Sequence, residues 1–544
     1  MRVAVVGAGW AGMAAAVALT QAGHHVTVME AARTLGGRAR ALHTVDAAGQ
    51  PLVLDNGQHI LIGAYTETLR LMRTVGVDVP SAMLRLPLTL TYADRSGLEL
   101  PDLPSPWDAL VGVARARGWS WTDKVALLRT CASWQLKGFR CDARWSVAQL
   151  CERLPQRLLQ EFIEPLCVSA LNTPAHEASA EVFLRVLRDS LFSGRGGSNL
   201  LLPRTDLGTL FPDTAAQWLQ AQGAALHTGQ RVAGLARTAD GWDVDGTRFD
   251  SVVLATHSTE AARLVQAAHG SLSQTEQGEA AEWIHVTQAL RFTSIGTVYA
   301  QASATSLPNG SGHTEESRHT LNQAMLALRP GPEQPAQFVF DRGHLGGPAG
   351  LLAFVVSVSE QDRATLEDQV VRQAQEQLGL KTLRPLQTVV EKRATFACTP
   401  SLRRPGNRVL SGLWAAGDYT EGPYPATLEG AIRSGLHAAQ QITGLRHLKR
   451  PAWRANPGAV ASSPTDQSDL DTHQKSSIWI PNGALYGKGS DALSVTICYR
   501  TIKSVLMRFF AYPAVSSPRT VPAVSLPAVS AALWAKPAGL ATKP

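Results

Sequence analysis

Apolar positions change their period several times along this chain, and the changes predict its elements. Val3-Ala4-Val5-Val6 is an apolar run of strand length, Gly7-Ala8-Gly9-Trp10-Ala11-Gly12 interrupts it, and an Ala-rich stretch follows. His25-Val26-Thr27-Val28-Met29-Glu30 then closes with an acid, so strand, glycine turn, helix and strand are expected in the first thirty residues. Residues 230–235 and 251–256 read as short strands, with a hairpin between them on the Asp245-Gly246 turn. Residues 157–163 have helical apolar spacing, and Pro165 is expected to end or kink that helix. Residues 337–342 and 351–358 read as strands joined by the loop His344-Leu345-Gly346-Gly347. A strand follows that loop where a nucleotide fold would need a helix, so it is no second dinucleotide turn. Near the C-terminus, Leu413-Trp414-Ala415-Ala416 is a short apolar strand ending in Gly417-Asp418. A helix starting near Thr427 carries small residues at Gly430, Ala431, Ser434 and Gly435.

The opening unit suits a dinucleotide. Gly7 permits the tight turn, Gly9 lets the backbone approach a pyrophosphate, and Gly12 lets the helix lie close on the strand. The helix N-terminus offers unpaired N–H groups and a positive dipole end to phosphates. Glu30 can accept ribose hydroxyls and would repel a 2′-phosphate, which makes NADP the poorest candidate. Two further features favour FAD over NAD. Gly36-Gly37-Arg38 can press a loop against the diphosphate and bring a cation to it, although a plain turn with a solvated arginine is equally open. The small-residue helix after Gly417-Asp418 can approach a flavin and stabilise charge on its reduced ring, with tight helix–helix packing as the alternative.

Taken together, these motifs resemble the flavin amine oxidase and carotenoid desaturase superfamily. More narrowly, Leu54-Asp55-Asn56-Gly57-Gln58-His59, Pro165-Leu166-Cys167-Val168-Ser169-Ala170-Leu171-Asn172-Thr173-Pro174, Val186-Leu187-Arg188-Asp189-Ser190-Leu191 and Leu200-Leu201-Leu202-Pro203-Arg204 resemble the hydroxysqualene dehydroxylase family. The likeness runs from residue 1 to about 445. It implies an α/β fold of amine-oxidase type: a discontinuous Rossmann-type FAD-binding domain with an inserted α+β substrate domain. The FAD-binding segments are expected at 1–75, 198–260 and 391–446, the substrate domain at 76–197 and 261–390, and a disordered low-complexity tail at 447–544. The expected cofactor set is Gly7, Gly9, Gly12, Glu30, Gly36, Gly37, Arg38, Gln58, Val232, Gly417, Asp418 and Glu429. Val232 would place backbone groups against the adenine, or is a plain sheet residue.

The resemblance also implies a reaction. FAD, reduced beforehand, would pass a hydride to the allylic cation left when hydroxysqualene loses its hydroxyl, giving squalene. A proton donor, apolar walls and little water are then required. His59 is favoured as donor or shuttle, with Asp55 and Glu421 as the other acids, although Asp55 also suits a structural acceptor and His59 a structural role beside the cofactor. Tyr419 and Tyr424 could wall the ring, and Arg204 and Asp206 could reach the same space. A triterpenoid substrate would enter by a tunnel, with residues 165–171 and 184–191 as lining or as ordinary core. Without an NADPH domain, electrons would come from an external donor. Rival readings are a carotenoid or squalene desaturase or an amine oxidase, both running the flavin oxidatively, and a non-catalytic flavin scaffold.

The composition, 44% apolar and 17% charged over 544 residues, is that of a globular protein with room for two or three domains. No apolar run reaches bilayer length, and the first strand begins at Arg2, so a cytoplasmic protein is expected, with peripheral contact at the inner membrane face left open. The net charge of +7 is dispersed, which argues against nucleic acid as a partner. Six cysteines lack metal-ligand spacing and read as reduced, so no metal is expected. Residues 451–477 are too polar to bury a core, and Pro-Ala-Val-Ser occurs at 513–516, 522–525 and 527–530. Residues 496–510 mix basic and apolar side chains, as an interfacial helix or as part of a disordered tail.

Overall fold

The computed structural model describes residues 1–444 apart from 47, 105, 193, 303–318 and 359–360. The expectations for 447–544, including the repeat and the stretch 496–510, lie outside the described residues.

Six strands form the nucleotide-binding sheet in the spatial order Ala225–Thr228, His25–Glu30, Arg2–Val6, Ser251–Leu254, Leu413–Ala415, Arg408–Leu410. The first five run parallel, and the last is antiparallel to its neighbour. Parallel strands covered on both faces should be continuously apolar, and Val3, Ala4, Val5, Val252, Val253 and Leu254 are fully buried. Strand order reverses beside Arg2–Val6. The chain leaves it for His25–Glu30 on one side, while Ser251–Leu254 lies on the other, so a crevice opens beyond the carboxyl ends.

Small residues let two helices stack on this sheet. At Gly12 a Cβ would lie 1.9 Å from the Gly7 carbonyl oxygen, and at Gly435 a Cβ would lie 2.1 Å from that of Ala11. The glycine at 435 therefore serves contact between helices Trp10–Gln21 and Leu428–Thr443.

Strands Gly241–Val244 and Thr247–Phe249 form the expected hairpin, with Asp245 (φ +49°) and Gly246 (φ +81°) in the turn. The strand expected over 230–235 starts only at Leu235. Residues 231–234 are irregular, because the Asp245 carboxylate takes the N–H groups of Ala233 and Gly234 (2.7 Å for the latter), and these then have no need of a sheet partner.

The inserted region contributes an antiparallel five-stranded sheet ordered Met325–Ala327, Phe338–Asp341, Leu351–Ser357, Phe292–Ala302, Leu383–Phe396. Leu383–Phe396 runs straight through the segment boundary expected at 390–391, so one strand carries the chain out of the insertion.

Pro165 does not end its helix. A π-turn, Leu159–Ile163, joins Gln156–Leu158 to the helix Glu164–Leu171 and absorbs the missing donor. The Glu161 carbonyl, four residues before Pro165, accepts the Tyr92 hydroxyl at 3.0 Å instead. Among the described residues no helix is long and apolar enough to cross a membrane.

Candidate functional site

The glycine turn is built by backbone geometry. Gly7 has φ +107°, and a Cβ there would lie 2.6 Å from the Ala255 carbonyl oxygen, so the two strand ends come within backbone contact. Gly9 caps the helix Trp10–Gln21 with no side-chain cap, leaving the first-turn N–H groups free for a ligand. The loop of the second glycine pair lies on this turn: Gly36 N–H donates to Ala8 carbonyl at 3.0 Å, and Trp10 Nε1 reaches the Ala39 carbonyl at 2.9 Å. Glu30 is fixed by the N–H groups of Ala8 (2.7 Å) and Ala32 (2.8 Å), and its remaining lone pairs are available to ribose hydroxyls.

These groups open into a cavity of about 490 Å³. Its polar end is lined by Gly7, Gly9, Glu30, Gly36, Gly37 and Val232, and its mostly apolar far end by Val168, Ala170, Ile295, Phe338, Phe340 and Val355, with Ser169, Ser357 and Glu391 among them. Arg38, Gln58, His59, Gly417 and Asp418 line the stretch between the two ends. Gly12 has no place in that lining; its role is the helix–strand contact already described.

Arg38 is half-buried and is not a free cation. It forms an ion pair with buried Asp418 and donates to the Ala394 carbonyl at 2.6 Å. Gln58 Oε1 accepts Arg342 Nη1 at 3.1 Å. His59 Nδ1 sits 2.8 Å from the Gly57 carbonyl. Burial lowers its pKa below the ordinary histidine value, with the Arg38 charge adding to that effect and the Gly57 bond opposing it. The neutral ring thus donates from Nδ1 and keeps Nε2 as an acceptor.

Three of the expected site acids lie elsewhere. Asp55 is 1% exposed and accepts the Leu207 N–H at 2.8 Å, outside the cavity wall, and burial pushes its carboxyl up to about 6. Glu421 is exposed on a second cavity with Arg404 and Arg408, because the turn after Asp418 carries it away from the first. Glu429, 1% exposed, accepts Thr68 N–H (2.9 Å) and Oγ1 (2.7 Å) together with Arg433 Nε (2.7 Å). It clamps the helix Thr66–Thr74 to the C-terminal helix and does not face the cofactor space. Leu428, one residue earlier, does face it, since each helical residue turns the side chain by about 100°.

Arg204 is exposed and Asp206 caps the helix Leu207–Leu210, so neither lines the cavity. Tyr424 donates to Asp189 at 3.0 Å on the second cavity, whereas Tyr419 is buried on the first with a hydroxyl that has no partner. Residues 184–191 do not line the cavity; Val168, Ser169 and Ala170 do.

Sequence reasoning passed over Asn172, His257 and Thr395, which also line the cavity. Asn172 ends the helix Glu164–Leu171 at φ +43°, a left-handed cap position that favours asparagine after glycine and was legible as such. Its Nδ2 donates to Thr293 and Thr395 hydroxyls, both at 2.9 Å, and its buried Oδ1 has no partner. Burial, then the Arg38 charge, pushes His257 down to about 4. Nothing in its sequence surroundings marks it, since only the meeting of strand ends brings it to the cavity.

The donor set fits a flavin dinucleotide: bare backbone at the phosphate end, a fixed carboxylate for ribose, and orphaned polar atoms on Asn172 and Tyr419 deeper in. One other cluster, His319, Asp341 and His344, has ligand-type atoms within 4.8 Å of one another. There the Asp341 carboxylate already accepts the N–H groups of Thr320, Leu321 and Gly343, and the imidazoles stack at 3.6 Å, so a hydrogen-bonded turn explains it.

Residues 10–443 match the family described as flavin containing amine oxidoreductase. The chain is 25% identical over 456 residues to a hydroxysqualene dehydroxylase of Zymomonas mobilis, covering 80% of this chain and 97% of that one. It is 27% identical over 463 residues to the enzyme of the same name from Rhodopseudomonas palustris, with the same coverage. Among solved structures, an oxidoreductase from Methanosarcina mazei superposes with a TM-score of 0.58 at 18% identity, over 81% of this chain and all of the other, a likeness of fold. The chain therefore belongs to the flavin containing amine oxidoreductase family and is an FAD-dependent oxidoreductase.

Proposed function

We propose that this protein removes the hydroxyl of hydroxysqualene reductively to give squalene, as part of squalene-type isoprenoid metabolism. The observation that carries the reading is a single cavity joining a nucleotide cradle to a mostly apolar end, in a chain whose relatives over 80% of its length are named for that reaction. FAD would be held by Gly7, Gly9, Glu30, Gly36, Gly37 and Val232, and in its reduced form it supplies a hydride. The C–O bond breaks, the oxygen leaves as water with one added proton, and a C–H bond forms at the allylic carbon.

The chain's own task is to handle that proton and exclude bulk water. Val168, Ala170, Ile295, Phe338, Phe340 and Val355 offer no nucleophile to an allylic cation. Tyr419 keeps its proton, because burial raises its pKa, and a side-chain shift that uncovers its buried, unpartnered hydroxyl would let it hydrogen-bond the departing oxygen. His59, neutral near pH 7, can relay a proton through Nε2 while Gly57 holds Nδ1. The described residues contain one glycine-rich nucleotide turn, so the electrons are assigned to an external donor.

Anaerobic incubation of photoreduced protein with hydroxysqualene tests the assignment, with squalene read by mass spectrometry. Squalene in step with flavin oxidation is expected. Reoxidation in air only, with hydroxysqualene intact, would overturn it and favour the oxidative reading.

A further inference from the structure

Two consecutive helices, Trp107–Arg115 and Trp121–Leu136, present apolar side chains to solvent. Six of the eleven exposed large apolar residues among those described fall within 103–136, which is clustering rather than scatter. Trp107 is 56% exposed and Trp121 71%, with Leu103, Leu110 and Val125 also exposed and Leu136 at 86%. Among the exposed positions of the second helix, Trp121, Val125 and Leu136 are apolar and Thr122, Arg129 and Gln135 polar, whereas Leu128 is half-buried against the core. The opposite face, with Leu127 and Trp134, is already core. A helix packed on a water-soluble core spends its outer face on polar residues. This one divides it between polar and apolar.

The surrounding charge is mainly positive, with two exposed acids at its edge: Glu99 beside the first helix, and Asp102, which pairs with Arg195. Between 103 and 141 the exposed ionisable residues are Arg115, Arg117, Arg129, Lys137 and Arg140. The two acids in that span, Asp108 and Asp123, are buried, and Asp123 closes the Ser120 capping box. Indoles and aliphatic side chains ringed mainly by cations match an anionic bilayer surface. A second copy of the chain would set the same five cations against themselves, which disfavours symmetric pairing.

This surface also touches the wall of the site. Trp119, between the two helices, packs edge-on against Phe162 at 5.6 Å. Phe162 precedes the helix Glu164–Leu171, whose Val168 and Ala170 line the apolar end of the cavity.

We propose that residues 103–140 form an interfacial binding surface that seats this protein on anionic phospholipid, with Trp107 and Trp121 entering the headgroup layer. The inference rests on surface chemistry and stands apart from the identity of the substrate.

The test is co-sedimentation of the full chain with vesicles of phosphatidylcholine alone or mixed with phosphatidylglycerol. Wild type is expected to pellet with the mixed vesicles and to show blue-shifted tryptophan emission. Trp107→Ser/Trp121→Ser should lower the partition coefficient by about tenfold or more. Lys137→Glu/Arg140→Glu should weaken binding to the mixed vesicles alone. Retained flavin absorbance and circular dichroism would show that both variants are folded. Wild type left in the supernatant, tryptophan variants that bind as wild type does, or a dimer that these variants abolish without any vesicle binding would each overturn the proposal.

Discussion

At the scale of single residues, Gly7 and Asp55 show how differently two positions in the opening motifs act. Any side chain at Gly7 meets the Ala255 carbonyl at 2.6 Å and must also hold φ +107°. Gly7→Ala is therefore expected to weaken FAD retention by about tenfold or more, read as flavin lost on gel filtration. Asp55 raises a question of pH. Its folded pKa of about 6 lies above the ordinary carboxylate value because of burial. The folded state thus holds its proton more tightly than the unfolded chain, and the site destabilises the fold progressively as pH rises from about 4 to about 6. Asp55→Asn keeps an oxygen for the Leu207 N–H and removes that effect. It should raise stability at pH 7 by about 1–3 kcal/mol and flatten the dependence between pH 4 and 6 in denaturant titrations. Turnover should change little; loss of turnover with binding intact would restore Asp55 as the acid.

At the scale of elements, the C-terminal helix acts through both of its first-turn faces. Thr427, whose hydroxyl accepts the Gly430 N–H at 2.9 Å, and Leu428 face the cavity, while Glu429 faces the start of Thr66–Thr74. Glu429→Gln keeps the shape and loses the charge that holds Thr68 and Arg433. It is expected to lower stability by about 1.5–3 kcal/mol in denaturant titrations and to leave FAD affinity unchanged. A drop in affinity with stability preserved would return Glu429 to the cofactor set. The π-turn before Pro165 is a second case of an element shaped from outside, since Tyr92, more than sixty residues earlier in the chain, completes its hydrogen bonding.

At the scale of the whole molecule, the cavity is a meeting point of segments near residues 6–39, 56–65, 168–172, 230–264, 295, 338–357 and 391–431. A ligand bound there should hold these segments together. Saturation with FAD at about 100 times its Kd should stabilise the fold by about 2.7 kcal/mol, seen as a higher Tm and slower proteolysis. An apoprotein melting at the same temperature as the FAD-loaded protein would argue against a cofactor held across segments.

Much of this was legible in the chain itself, wherever the information is local. The Gly7-Gly9-Gly12 turn, Gly36-Gly37 and the Asp245-Gly246 hairpin are contiguous, and their backbone geometry is set by glycine and by near neighbours. Gly417-Asp418 could be found in the same way, but not the Arg38 partner that Asp418 meets. Tertiary structure alone decided which way side chains face. It turned Glu429 and Glu421 away from the cavity, put Asp55 behind its wall, and brought Asn172, His257 and Thr395 into it. The physical reason is that a local pattern fixes the backbone path of an element, whereas its rotation and neighbours follow from burying apolar surface against segments hundreds of residues distant.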